Sequence, residues 1–172
     1  TNGGVFVSVV LTHSGIIMEY QSLSDYPQGW IFRHRELPVD QALLDDIRPM
    51  TEASSLAFWR QQISKEATHA AHFMNDDWPN RNGVWQEKAE WQSLWESDDN
   101  ALPEELDFAD WEDNITVYFC YDCHNVVQTT WGTFRQCWKN FLFYDEEPLL
   151  LGRRRMQVAR FHSDGTFETG VR

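Results

Sequence analysis

Two β-rich runs flanking a four-residue turn constrain the fold most. Residues 115–121 and 126–131 are dense in β-branched and aromatic side chains and enclose Asp122-Cys123-His124-Asn125, a pattern that predicts a β-hairpin. A second hairpin is predicted where residues 156–161 turn at Asp164-Gly165 into residues 167–171, with residues 149–151 as another strand. Hairpins build antiparallel sheet. Helical patterns elsewhere put the chain in the α+β class, with helices packed on one side of that sheet.

The helical patterns are read from hydrophobic period. Residues 30–34 read as a short strand, and Leu43, Leu44 and Ile47 as a short helix that stops before Pro49. Thr51 is placed to cap a longer helix whose stripe is Leu56, Trp59, Ile63, Ala67, Ala70 and Met74. Pro79, Asn82 and Gly83 break it, and Val84, Trp91 and Trp95 align on a second helix expected to pack against the first. Residues 97–114 are acidic and irregular, with one helical turn expected at Leu102–Leu106. Thr133 and Gln136 fit a capping box for a last helix burying Phe134, Cys137, Trp138 and Phe141.

A chain of 172 residues is long enough to form one domain, 1–172, with a continuous core. Its formal charge of −13 disfavours nucleic acid and anionic membrane surfaces as partners. Three cysteines cannot all pair with one another, so a reducing, cytoplasmic setting is expected. The apolar run Val5 to Leu11 is too short to span a bilayer, has no basic flank and reads as a strand. Residues 1–17 carry no charged side chain of the Lys, Arg, Asp or Glu type and read as an upstream extension before Met18.

Several stretches carry a resemblance: W-I-F-R-H-R-E-L-P from Trp30, T-V-Y-F-C-Y from Thr116, T-T-W-G-T-F and W-K-N-F-L-F from Thr129 onward, and L-L-L-G-R-R-R from Leu149. Together they resemble an uncharacterised family of small acidic proteobacterial proteins, over most of residues 20–172. That resemblance implies a bacterial, cytoplasmic protein and brings no reaction, cofactor or catalytic residue with it.

Cys120-Tyr121-Asp122-Cys123-His124 has the C-x-x-C-H spacing of covalent haem attachment. Its position on a predicted strand argues against haem, and also against a redox pair, which needs its first thiol at a helix N-terminus. Zinc could draw on Cys120, Cys123 and Cys137 with His124 or His162, although structural zinc usually shows two close ligand pairs. The plain reading is a hairpin thiol and a core thiol, with no cofactor. Glu66, His69 and His72 follow E-x-x-H-x-x-H on the polar side of the predicted helix, with Asp76 and Asp77 beyond. Surface metal is geometrically open there, and solvated surface is the simpler reading. Asp98-Asp99-Asn100 does not continue into a calcium loop.

Charge is segregated. Residues 89–134 hold eleven acidic side chains and no Lys or Arg, while Arg153, Arg154, Arg155 and Arg160 cluster later. The plain reading is internal complementarity. The functional reading is a protein-binding face using Asp98, Asp99, Glu104, Glu105, Asp110 and Asp113, with Trp78 and Trp111 among them, that captures a basic protein partner. Burial of both tryptophans under loops is the alternative, and Arg153, Arg154 and Arg155 are candidates for holding an anion. No nucleophile elbow, P-loop or dinucleotide glycine pattern occurs. A pocket of His34, Asp113 and Arg33 would leave no such trace. Two classes remain open: a non-catalytic binding or regulatory protein, and a small enzyme or metal protein built on Cys120, Cys123 and His124.

Overall fold

The computed structural model describes residues 17–108, 110–144 and 146–172, so the strand predicted near Val5 lies outside the described residues. The strands are β1 (Arg48–Pro49), β2 (Trp85–Glu90), β3 (Thr116–Asp122), β4 (Asn125–Thr130), β5 (Leu149–Gly152), β6 (Gln157–Phe161) and β7 (Thr166–Val171). They form one antiparallel sheet in the order β1-β4-β3-β5-β6-β7-β2. The helices are α1 (Gln41–Leu44), α2 (Glu52–Gln62), α3 (Gln92–Glu96) and α4 (Trp131–Phe141). The α+β class and both predicted hairpins are present. Among the described residues no helix is long and apolar enough to cross a membrane.

Helical cover lies on both faces of the sheet, where the sequence suggested one. The cause is the unbroken apolar run of β3. Alternate residues of a strand point to opposite faces, so a run with no polar alternation must be buried twice. Val117, Phe119 and Tyr121 join Trp131, Phe134, Trp138 and Phe141 of α4 in one core. Tyr118 and Cys120 join Phe58 and Trp59 of α2 in the other.

Thr51 caps α2 as expected, its side chain accepting from the Ser54 amide. The helix then ends at Gln62, far short of the predicted stripe. Ser64 and Trp59 end it: Ser64 Oγ accepts from the Ala67 amide at 3.0 Å, and the Trp59 indole donates to the Ala67 carbonyl at 2.7 Å. Side chains thus satisfy backbone groups that another helical turn would have paired. Ile63 and Ala67 are buried all the same.

The predicted second helix is absent. Trp85–Glu90 is instead an edge strand on β7, whose exposed Glu87, Lys88 and Glu90 suit an unpaired sheet edge. Only the short α3 keeps helical form there. The strand expected at Trp30 is a 3₁₀ turn, Gly29–Phe32, with Ile31 and Phe32 both buried. The α4 cap is Thr130, accepting from the Thr133 amide, three residues before the expected capping box. The predicted turn near Leu106 is present as Glu104–Leu106.

Asp46 ties the start of α4 to the first part of the chain. Its Oδ2 accepts from Thr130 Oγ1 at 2.5 Å and from Thr133 Oγ1 at 2.7 Å, and its carbonyl accepts from Thr129 Oγ1 at 2.9 Å. A carboxylate beside a helix N-terminus is also favoured by the helix dipole. Asp46→Ala leaves two hydroxyl donors without their charged acceptor and should lower stability by about 2 kcal/mol. That corresponds to a melting temperature lower by roughly 4–8 °C. Thermal and urea unfolding measure it, and an unchanged midpoint would contradict a structural role for Asp46.

Candidate functional site

The acidic connection between α3 and β3 is irregular yet secured. Leu106 and Trp111 are buried beneath it, and Leu102 and Phe108 pack on the same core. Its backbone is held from α4: Trp138 Nε1 donates to the Asn100 carbonyl at 3.2 Å and Lys139 Nζ to the Ser97 carbonyl at 2.8 Å. Trp95 Nε1 donates to the Lys139 carbonyl at 2.8 Å. These contacts depend on a kink. Cys137 has φ −132° and ψ 27° within α4, and residues from Cys137 to Leu142 are all buried. Past the kink the helix is enclosed on every side, so its polar residues reach backbone groups instead of water.

The carboxylates of Asp98, Asp99, Glu104, Glu105, Asp110 and Asp113 are exposed on this secured backbone. Among the described residues the ion pair they make is Arg135–Asp113 at 3.4 Å, which is solvent-exposed on both sides and adds little stability. The two tryptophans do not belong to that surface. Trp111 is 4% exposed and lies edge-on to Trp131 at 5.1 Å. It fills the space over Gly152, where a Cβ would approach its ring to 2.6 Å. Trp78 is half-buried in the core on the opposite face of the sheet, donating from Nε1 to the Gln62 carbonyl at 2.8 Å. Large flat side chains among polar neighbours fold under their own loops here.

Arg153, Arg154 and Arg155 occupy the tight turn between β5 and β6, where Arg154 has φ 57°. Arg153 lies on the side of Tyr20 and Tyr118 and opposes the rise in their hydroxyl pKa caused by burial. Arg155 packs by Gly152 on the Trp111 side. The turn thus places Arg153 on the Tyr20 side of the sheet and Arg155 on the Trp111 side. Arg160 is engaged elsewhere, bonded to Glu168 at 2.6 Å and stacked 4.4 Å from the Trp85 ring.

The cysteines are brought together only in part. Cys120 and Cys123 lie in the α2-side core and Cys137 in the α4-side core, with the sheet between them, so the three cannot share one zinc. His124 is exposed on the hairpin loop while Cys120 is fully buried and Cys123 is 2% exposed. Burial raises all three thiols. Cys120 goes far above the usual thiol range, and Cys137 is pushed up to about 12, with Asp46 adding to the effect. No group of three or more His, Cys, Asp or Glu gathers at metal-binding range among the described residues.

Glu66, His69 and His72 share no helix face, because α2 has already ended. His69 Nδ1 accepts from the Ala71 amide at 3.1 Å, and Nε2 meets the Glu146 carbonyl at 2.6 Å. Both ring nitrogens are thus committed to the backbone, with the proton on Nε2. His34 and Arg33 line one depression and Asp113 another, so these three are not assembled into one pocket. What period and motif did not reveal is the role of Asn140 and of Arg48. Arg48 lines a cleft with Arg33, from a distant part of the sequence whose spacing carries no signal. Asn140 falls outside the predicted buried face of Phe134, Cys137, Trp138 and Phe141 and is buried all the same.

Buried thiols generate two expectations. The native protein should react slowly with a water-soluble disulfide reagent at neutral pH and expose three thiols on unfolding. Rapid stoichiometric labelling of the folded chain would refute their burial. The second concerns alkali. The unfolded chain releases its Cys137 proton near 9.0 while the folded chain holds it until about 12, so this contribution is full below pH 9 and is lost as pH rises from 9 towards 12. Between pH 8 and 10 the loss should be about 1 kcal/mol, read from urea midpoints, and Cys137→Ala should flatten the profile by that amount.

No curated protein and no solved structure matches the chain at a significant level. A family model does: residues 20–170 match the family described as "Protein of unknown function (DUF2947)", covering the first hairpin, the second to its penultimate residue, the acidic connection and the four described helices. The chain therefore belongs to that family.

Proposed function

We propose that this chain is a cytoplasmic, non-catalytic binding protein whose acidic connection captures a basic protein partner. The observation that carries the reading is the pairing of exposed charge with secured backbone. Asp98, Asp99, Glu104 and Glu105 stand in water, while the segment that bears them is bonded to Trp138 and Lys139. Asp99 also orders its own loop by accepting from the Ala101 amide at 2.9 Å. A preorganised carboxylate array loses little entropy on docking. A formal charge of −13 steers cations towards it from beyond contact distance. The reading based on the Cys120 hairpin has less support, since buried thiols with raised pKa values are poor nucleophiles and poor ligands.

The test compares the native protein with a variant carrying Asp98→Asn, Asp99→Asn, Glu104→Gln and Glu105→Gln. A basic protein retained from cell extract by the native chain is identified, purified and titrated calorimetrically against both. The expected result is near-stoichiometric binding that falls steeply with salt and is weakened at least tenfold in the variant. Equal affinity of the two for that partner would sink the proposal.

A further inference from the structure

The chain carries 27 acidic and 14 basic side chains, and among the described residues Arg135, Arg160 and Lys88 form ion pairs, with Asp113, Glu168 and Asp164. Arg33 and Arg48 have no carboxylate within ion-pair distance among the described residues. They line one cleft of about 620 Å³ instead, a volume within the range of small-molecule sites. Its walls come from three short segments: the turn after Tyr20, the 3₁₀ turn ending at Arg33, and α1 running on to Arg48.

Both guanidiniums are held. Arg48 is a β1 residue in register with Gln128, and its Cζ stacks 4.2 Å from the centre of the Tyr20 ring. Tyr20 is fixed in turn, its hydroxyl donating to Gln128 Oε1. Arg33 Nη1 donates to the Leu23 carbonyl at 3.3 Å. The wall between them is close-built at Gly29, where a Cβ would come within 2.3 Å of the Leu23 carbonyl oxygen and 3.1 Å of Arg33 Nη1. Asn140 fixes the same wall from behind, its Nδ2 donating to the Ile31 and Leu37 carbonyls at 2.9 Å each.

The remaining lining selects the ligand. Leu23, Phe32, Leu44 and Ile47 give the cleft an apolar floor. Asp45 is the single acid among its lining residues, and its carboxylate accepts from Gln41 Nε2 at 2.8 Å. Two arginines and one aspartate leave a net charge of about +1, which matches a monoanion better than a phosphate dianion. A guanidinium fork presents paired N–H donors in the geometry of a carboxylate.

We propose that the cleft between Arg33 and Arg48 is a binding site for a small organic carboxylate, with the acid group on the arginines and an apolar body on the floor beneath. This site is separate from the acidic connection and stands independently of the partner-capture reading.

The test titrates the full chain with benzoate, phenylacetate and octanoate, with benzamide and phenyl phosphate as comparison probes. Heat is measured by calorimetry, and the arginine Nε–Hε resonances are followed by NMR. Saturable binding of at least one carboxylate, one per chain, should shift the Arg33 and Arg48 resonances, with benzamide silent. Arg48→Met keeps bulk over Tyr20 and removes charge, and Arg33→Gln alters an exposed side chain. Each should weaken binding about tenfold or more, while Arg81→Gln should not. Arg33→Gln keeps the test sound should Arg48→Met perturb folding. The variant neutralised at Asp98, Asp99, Glu104 and Glu105 should bind as the native chain does, which separates this site from the acidic surface. Three outcomes would overturn the proposal: no saturable binding of any of the three acids, undiminished binding in both arginine variants, or tighter binding of phenyl phosphate than of benzoate.

Discussion

Three consecutive residues of α4, Trp138, Lys139 and Asn140, hold in place the segments that carry exposed charge. Each donates to backbone carbonyls of a segment with little regular structure. Trp138 and Lys139 reach residues 97–100, and Asn140 reaches residues 31–37. A regular amphipathic helix cannot bury three successive positions, because they span most of its circumference. The break at Cys137 and the flanking segments solve this together, enclosing the last turn from both sides. A lysine only 4% exposed would be costly without partners. Here its ammonium donates to a carbonyl and lies 5.9 Å from the Trp138 ring. Loss of any of these donors leaves a carbonyl short of its partner, at about 1–3 kcal/mol each where the site stays dry.

The elements legible in the sequence are those whose burial follows a local period. The two hairpins announced themselves through β-branched runs and the Asp164-Gly165 turn. The buried side of α4 followed from Phe134, Cys137, Trp138 and Phe141. Illegible parts are those where one side chain decided the backbone. Trp59 and Ser64 end α2 although Ile63 and Ala67 continue its spacing and are buried as that spacing suggests. Residues 85–90 have the composition of a helix, yet β7 offers them an unpaired ladder, and tertiary pairing outweighs a propensity difference of under 1 kcal/mol per residue.

The candidate surfaces were legible to different degrees for the same reason. Charge segregation is a one-dimensional property, so the acidic connection could be located from the sequence. Which tryptophans it displays could not, since Trp111 is drawn inward by Phe108, Trp131 and the space above Gly152. The arginine run misled in the opposite direction. Arg153 and Arg155 are near in sequence and diverge at the β5–β6 turn, whereas Arg33 and Arg48 are far in sequence and share a cleft.

The two proposed surfaces would place opposite demands on the electrostatic field. A net charge of −13 favours the approach of a basic partner and opposes that of an organic anion. Added salt screens both long-range effects, with a Debye length of about 8 Å at physiological strength. It would therefore weaken the proposed partner capture while partly relieving the repulsion felt by an anion near Arg33 and Arg48. Binding in the cleft must then draw its strength from contacts shorter than the screening length, namely guanidinium forks already oriented by Tyr20 and Leu23 and an apolar floor. In the proposed site, rigid support from Gly29 and Asn140 would then count for more than net charge. A site working against the global field has only its local geometry to rely on.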